Sequence, residues 1–364
     1  MRHSGMGRSV RWRVALAWVA TLLGQSVAMG QDVPPVSTET LSTSQKSQIE
    51  AFVSGQVGAI VRADAPEAAY AAQDRLVELM QSGPISVEYR QEITKSVSPL
   101  EPLVGGADAF KAVSALMVAG ELAVRPADRM IKAGLNDDRE AVRVAAAGAA
   151  KRMLRILAAS PNQQFFRQPG FGLQEALATA LKGEASPLAA RAMLHALAST
   201  PDDTEFFVKG AEQMAGALEA VAARLRAMPL DQSLSPAWSE TLLWGLGASR
   251  QALFEANPDR QVSNQAKKSA ARMSGLILAM VKAKTAQGAD DAGRLERVVS
   301  AAEQVLLLVE ANLSGSAGTQ AVAPAFKEGA DGGGWDRFAD AVDAWVGARG
   351  KLTRAPFGFA AGDF

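Results

Sequence analysis

Three pairs of adjacent carboxylates, Asp137-Asp138, Asp202-Asp203 and Asp290-Asp291, are the residues to weigh first for acid chemistry. Two carboxyls flanking a glycosidic bond can divide the roles of general acid and of base or nucleophile. Each pair also stands at a predicted helix start. There an acidic side chain accepts backbone N–H groups and meets the positive end of the helix dipole, so capping is the competing role. His195 is the other candidate, a potential general base. It has no obvious nucleophile beside it on a predicted helix, which favours a structural or surface role. The chain contains no Gly-x-Ser-x-Gly, His-Glu-x-x-His, Walker A or EF-hand pattern. Gly315-Ser316-Ala317-Gly318 falls one residue short of a serine elbow. With no cysteine there is no disulfide, thiol nucleophile, thiolate metal site or lipid-modified cysteine. Neither a metal site nor a cofactor is expected.

Two groups of residues could bind rather than react. Lys267 and Lys268 head a basic run with Arg272, Lys282 and Lys284 that could meet an acidic partner or form a solvated face. Trp335, Phe338, Val342 and Trp345 form one stripe of a short amphipathic helix expected over 335–349. A Gly/Ala-rich stretch over 314–334, with Gly332-Gly333-Gly334, precedes the stripe and reads as a flexible linker. The stripe could thus dock on its own core or onto another protein. Phe165, Phe166 and Phe171 flank Arg167-Gln-Pro-Gly170 in an expected inter-helix turn.

The elements that must position these residues are helices. Period-two runs of β-branched residues are scarce, so no sheet is expected. The core of the pattern is 135–154. A turn holding Asp137 and Asp138 is followed by Val142, Ala145, Ala146, Ala149, Met153 and Ile156 at helical spacing. Small residues let a second helix approach closely. A weaker copy over 185–197 places Ala190-Arg191 48 residues after Val142-Arg143. Ser160-Pro161, Ser186-Pro187, Thr200-Pro201 and Ser235-Pro236 share a hydroxyl cap followed by proline at the first helical position. From Ser160-Pro161 to Thr200-Pro201 the prolines are 40 apart, and the Phe-Phe and Ala-Leu pairs that follow are 41 apart. That period suits stacked helical hairpins.

The segment 135–154 resembles a HEAT repeat, whose second helix starts with an Asp-x-x-x-Val-Arg-like pattern and carries an Ala-rich face. The resemblance implies an all-α superhelix of helical hairpins and a protein-binding surface. It also implies that Asp137 or Asp138 reaches Arg143, with Val142 in the core and Arg191 as the counterpart of Arg143. The expected organisation is a helical repeat region over 44–313, most HEAT-like over 125–228, with long helices over 235–313. These could continue the solenoid or form a separate bundle. A loose leader over 31–43 precedes the region, and a tail over 350–364 closes the chain.

The first thirty residues read as an export signal. Arg2, Arg8, Arg11 and Arg13 precede an apolar run over 14–27, and Ala28-Met29-Gly30 supplies small residues for cleavage between Gly30 and Gln31. The competing reading is an uncleaved anchor, although the run is shorter than the roughly 20 residues a spanning helix needs. Cleavage would remove four of 38 bases and none of 38 acids, leaving 34 against 38, a formal charge of −4. That balance argues against nucleic-acid binding. A periplasmic or secreted protein that is not a lipoprotein is expected. Its leading function is a non-catalytic scaffold binding another envelope protein; the alternative is a carboxylate-dependent hydrolase.

Overall fold

The structure is a computed structural model that describes residues 33–159, 164–288, 291–316 and 318–364, with only the backbone described at 164–166. The expected export signal, Ser160-Pro161, Asp290 and the side chains of Phe165 and Phe166 lie outside the described residues. Every regular element among the described residues is a helix. The first six are α1 (Thr43–Arg62), α2 (Pro66–Gln81), α3 (Val87–Ser96), α4 (Glu101–Val104), α5 (Ala109–Leu122) and α6 (Arg125–Leu135). Next come α7 (Glu140–Ala158), α8 (Gln164–Gly183), α9 (Pro187–Leu197), α10 (Thr204–Arg226) and α11 (Leu230–Ser233). The last are α12 (Pro236–Leu253), α13 (Asn264–Thr285), α14 (Ala292–Ser314), α15 (Val322–Glu328) and α16 (Asp336–Val346).

These helices stack in two layers. One runs α5, α7, α9, α12, α14; the other runs α6, α8, α10, α13, α16, each helix packing on the next in its row. Chain neighbours such as α6 and α7, or α13 and α14, pack across the layers. This is an α-helical superhelix in which contacts stay close in sequence. Because α12 packs on α9 and α13 on α10, the long helices over 235–313 continue the same two rows.

The alanines explain the close stacking. In α7, Val142, Ala146, Ala147, Ala149, Ala150, Met153, Leu154 and Leu157 are buried on more than one side. Gly120 on α5 faces α7 so closely that a Cβ there would lie 2.9 Å from the Cα of Ala149. Side-chain volume at such a contact would force two helix backbones apart.

Several local expectations meet a different outcome. The turn expected around Arg167-Gln-Pro-Gly170 lies inside α8. Gly170 is needed there because a Cβ would fall 2.5 Å from the ring of Phe206 on α10, and Phe171 packs on that ring at 4.9 Å. Pro201 does not open a helix. Asp203 caps α10 instead, its carboxylate accepting the Phe206 N–H at 3.0 Å. Ser186 caps α9 as expected, accepting the Ala189 N–H at 3.2 Å. Within the long-helix region α13 starts at Asn264, where the Ser263 hydroxyl caps it by accepting the Ala266 N–H at 3.3 Å.

The largest difference lies in the stretch expected as a linker. Residues 322–328 form α15, whose Val322 and Phe326 are fully buried. The cause is Glu303 on α14, a carboxylate with 0% exposure. Its Oε1 accepts the N–H groups of Ala321 at 2.6 Å and Val322 at 2.7 Å, and its Oε2 accepts that of Ala323 at 2.8 Å. Those are the donors a helix start leaves unpaired, and a negative charge is favoured beside them.

Candidate functional site

The amphipathic helix expected over 335–349 is present as α16, and its stripe docks on its own chain. Phe338 and Val342 are fully buried, Trp345 nearly so, and Trp335 half-buried. Phe326 of α15 meets Trp335 at 5.1 Å and Phe338 at 5.0 Å. Burying such side chains is worth about 1.5–3 kcal/mol each, so this stripe belongs to the core. Beyond it, Leu352 and Phe357 are buried. Phe359 and Phe364 meet edge to face at 5.8 Å, and Arg226 on α10 donates to the carbonyl oxygen of Asp363, at 2.9 Å, and to a main-chain oxygen of Phe364.

The basic run divides. Arg272 pairs with Glu219 at 2.9 Å, Lys282 with Asp343 at 2.5 Å and Lys284 with Asp231 at 2.6 Å. Lys267 is 7% exposed and Lys268 half-buried, and neither makes an ion pair among the described residues. Because Lys267 and most of the aromatic stripe are buried, the two groups do not form one exposed patch.

The repeat-motif residues form a structural joint. Val142 is fully buried. Asp137 spends its carboxylate on Arg139, at 2.7 Å to Nη2 and 2.8 Å to the backbone N–H. The Arg139 guanidinium thereby holds the Asp137 carboxyl below its usual range. Arg143 reaches the turn through main-chain atoms, donating to the carbonyl oxygens of Asp137 at 2.9 Å and Asp138 at 2.8 Å. Its remaining nitrogens hold Glu184, at 2.7 and 2.9 Å. The expected carboxylate contact to Arg143 is replaced because Arg139 sits two residues from Asp137 and claims it first. Arg191 is exposed and makes no such contact among the described residues; the acid of its turn, Glu184, is held by Arg143.

Further arginines join successive inter-helix turns in the same way. Arg139 donates to the carbonyl oxygens of Val104 at 2.9 Å and Gly106 at 2.7 Å. Arg224 donates to the Glu184 carbonyl and Arg294 to the Leu234 carbonyl. A ladder of guanidinium groups therefore runs along one edge, from the turn before α5 to the start of α14.

Of the acids weighed for catalysis, Asp137, Asp203 and Asp291 serve turns, caps or ion pairs. Asp203 and Glu205 share Arg167 at 2.9 and 2.5 Å, and Asp291 pairs with Arg294 at 2.6 Å. A cleft of 650 Å³ does collect Asp202, Asp203 and Glu205 beside Arg167. All three acids come from one helix start, rather than from two walls that could flank a substrate. His195 stacks on Trp244 at 4.1 Å. Burial pushes its pKa below the usual value, helped by Lys151 and Arg191. No group of three or more His, Cys, Asp or Glu is placed to hold a metal ion among the described residues.

A cleft of 840 Å³ lies between α12 and α14. Trp238, Leu242, Leu246 and Leu253 anchor α12 in the core. Rotating from that face gives Gly247, Arg250, Gln251 and Phe254, an i, i+3, i+4, i+7 set that lines the cleft. On α14 the core face is Val298, Val299, Ala302, Val305, Leu306 and Val309. Its neighbour stripe, Gln304, Leu307, Leu308 and Ala311, has the same spacing and forms the other wall. Phe254 is 75% exposed, the most exposed of the large hydrophobic side chains among the described residues. Arg250 reaches Gln304 Oε1 at 2.6 Å, and Glu255 also lines the cleft. The periodicity of these two stripes is present in the sequence, but only the stacking of α12 on α14 shows that they face each other.

No helix among the described residues is long and apolar enough to cross a membrane. No protein-family model matches the chain, and no curated protein matches it either.

Proposed function

We propose that this chain is an exported, non-catalytic scaffold built from HEAT-like helical hairpins. In this reading it holds an amphipathic helix of another envelope protein in the cleft between α12 and α14. The observation that carries the reading is the pair of facing i, i+3, i+4, i+7 stripes with Phe254 exposed at 75%. Two parallel ridges of this spacing form the groove into which a third helix packs. An apolar floor, an aromatic anchor and a rim of Arg250, Gln251, Gln304 and Glu255 match the composition of protein interfaces. Export rests on Arg2, Arg8, Arg11 and Arg13 ahead of the apolar run and on the small residues before Gln31. Periplasmic or secreted localisation follows from that.

The test is site-directed photocrosslinking from position 251 in the native cell envelope, followed by mass spectrometry of the adduct. The expected result is one recurrent partner, crosslinked within an amphipathic helical segment. Phe254→Ala should reduce its recovery by at least about tenfold, as for an interface anchor. The same substitution should leave stability within about 0.5 kcal/mol, because the ring is exposed. Capture that ignores Phe254→Ala, or no recurrent partner for a folded protein, would reject the reading.

A further inference from the structure

A second concave site lies far from that cleft in the chain, where the ends of α2, α5 and α7 meet. It has a volume of 430 Å³. Three arginines, Arg90, Arg152 and Arg155, line it together with Glu121. Met80, Ile85 and Ile156 give it an apolar side.

The charges at this site do not cancel. Arg90 is committed to the C-terminus of α5, where its Nη1 donates to the carbonyl oxygens of Glu121, at 3.3 Å, and Leu122. A helix C-terminus carries roughly half a negative charge, which that arginine meets. Glu121 is buried, and both its oxygens are occupied. Gln81 Nε2 donates to Oε1 at 2.7 Å, and Arg152 Nε lies 2.8 Å from Oε1 and from Oε2. Glu121 therefore fixes Arg152 through Nε and leaves its two terminal nitrogens without hydrogen bonds among the described residues. Arg155 is exposed and makes neither an ion pair nor a side-chain hydrogen bond among them. Arg152 and Arg155 against Glu121 leave one positive charge beside an apolar wall.

We propose that this pocket binds an amphipathic monoanion, a carboxylate carried on a short apolar body. Arg152 offers its two terminal nitrogens as a fork, the geometry a carboxylate accepts in a bidentate manner. Arg155 closes on the same group from the next helical turn. Met80, Ile85 and Ile156 cover the hydrocarbon. Low-dielectric walls strengthen the attraction relative to an open surface. The volume lies within the range of small-molecule sites.

The probe is octanoate, titrated calorimetrically into the protein, with octan-1-ol and inorganic phosphate as comparisons. The alcohol keeps the hydrocarbon and lacks the charge; phosphate has charge and no hydrocarbon. Octanoate should bind at least about tenfold tighter than either, since both halves of the site contribute. Arg155→Gln should weaken octanoate about fivefold without altering the melting temperature, because Arg155 supports no other contact. Arg152→Gln should weaken it further. Equal affinity for octanoate and octanol, equal or tighter binding of phosphate, unchanged affinity in Arg155→Gln, or no binding of octanoate at millimolar concentration would each overturn the proposal.

Discussion

Replacing Glu303 with glutamine tests what orders the C-terminal segment. The native carboxylate is fully buried and receives three backbone N–H groups at 2.6–2.8 Å. Glutamine can keep its carbonyl oxygen where Oε1 sits, retaining the bonds from Ala321 and Val322. Both then change from charge-assisted to neutral, a loss of about 1 kcal/mol each. The amide nitrogen replaces Oε2 and confronts the Ala323 N–H, donor against donor. Leaving that donor unpaired costs about 1–3 kcal/mol. A neutral amide is easier to bury than a carboxylate, which returns part of the loss. The net destabilisation should be about 2 kcal/mol, and Glu303→Ala, which orphans all three donors, should cost more. The assay is native-state hydrogen exchange. In Glu303→Gln, exchange of the amides at 321–323 should accelerate about thirtyfold, with a smaller change in the interiors of α7 and α9. Acceleration of less than about threefold at 321–323, or equal acceleration throughout the chain, would refute Glu303 as the local anchor of α15.

Two further outcomes follow from the ion pairs and the histidine. Arg143→Ala removes the partner of Glu184, whose side chain is only 2% exposed, and should cost about 3 kcal/mol in urea unfolding, as for a broken buried pair. Recovery of most of that stability by Arg143→Ala combined with Glu184→Gln would mark the stranded charge as the cause, and no recovery would point to the lost carbonyl contacts instead. Burial lowers the pKa of His195 from its ordinary 6.5, so folding favours the neutral ring. The stability this confers is complete above about pH 6.5 and declines as pH falls through the folded midpoint. Proton NMR titration should find the His195 midpoint below 6.5, and a midpoint above it would contradict the packing on Trp244.

Much of the helical plan is legible in the residues. Ser86 before α3, Pro66 at the start of α2 and the apolar spacing of α5 and α14 are local signals, and each acts within a turn of the residues that carry it. What escapes a linear reading is decided at a distance. Glycine, alanine and proline over 314–334 look like a linker, yet Glu303 supplies the cap that makes 322–328 helical. Pro169 and Gly170 look like a turn, yet the ring of Phe206 rewards a glycine in a continuous helix. The partner of Arg143 is 41 residues away at Glu184, while the nearby Asp137 is taken by Arg139. The α12–α14 cleft is half legible. Both stripes have helical spacing, but their juxtaposition depends on how the rows stack.

The arginine ladder has a mechanical consequence. Along that edge, Arg139, Arg224 and Arg294 each tether a turn to the preceding one through main-chain oxygens, and Arg143 joins the Asp137-Asp138 turn to the Glu184 carboxylate. Stretching that edge must break directional bonds to charged donors, whereas sliding apolar faces past one another breaks none. The opposite edge has such ties too, from Arg167 to Asp203 and from Arg260 to the Pro201 carbonyl, but the longer series of them lies along the ladder, so the superhelix should resist extension most there. A load along the chain would be carried first by guanidinium groups, one turn at a time.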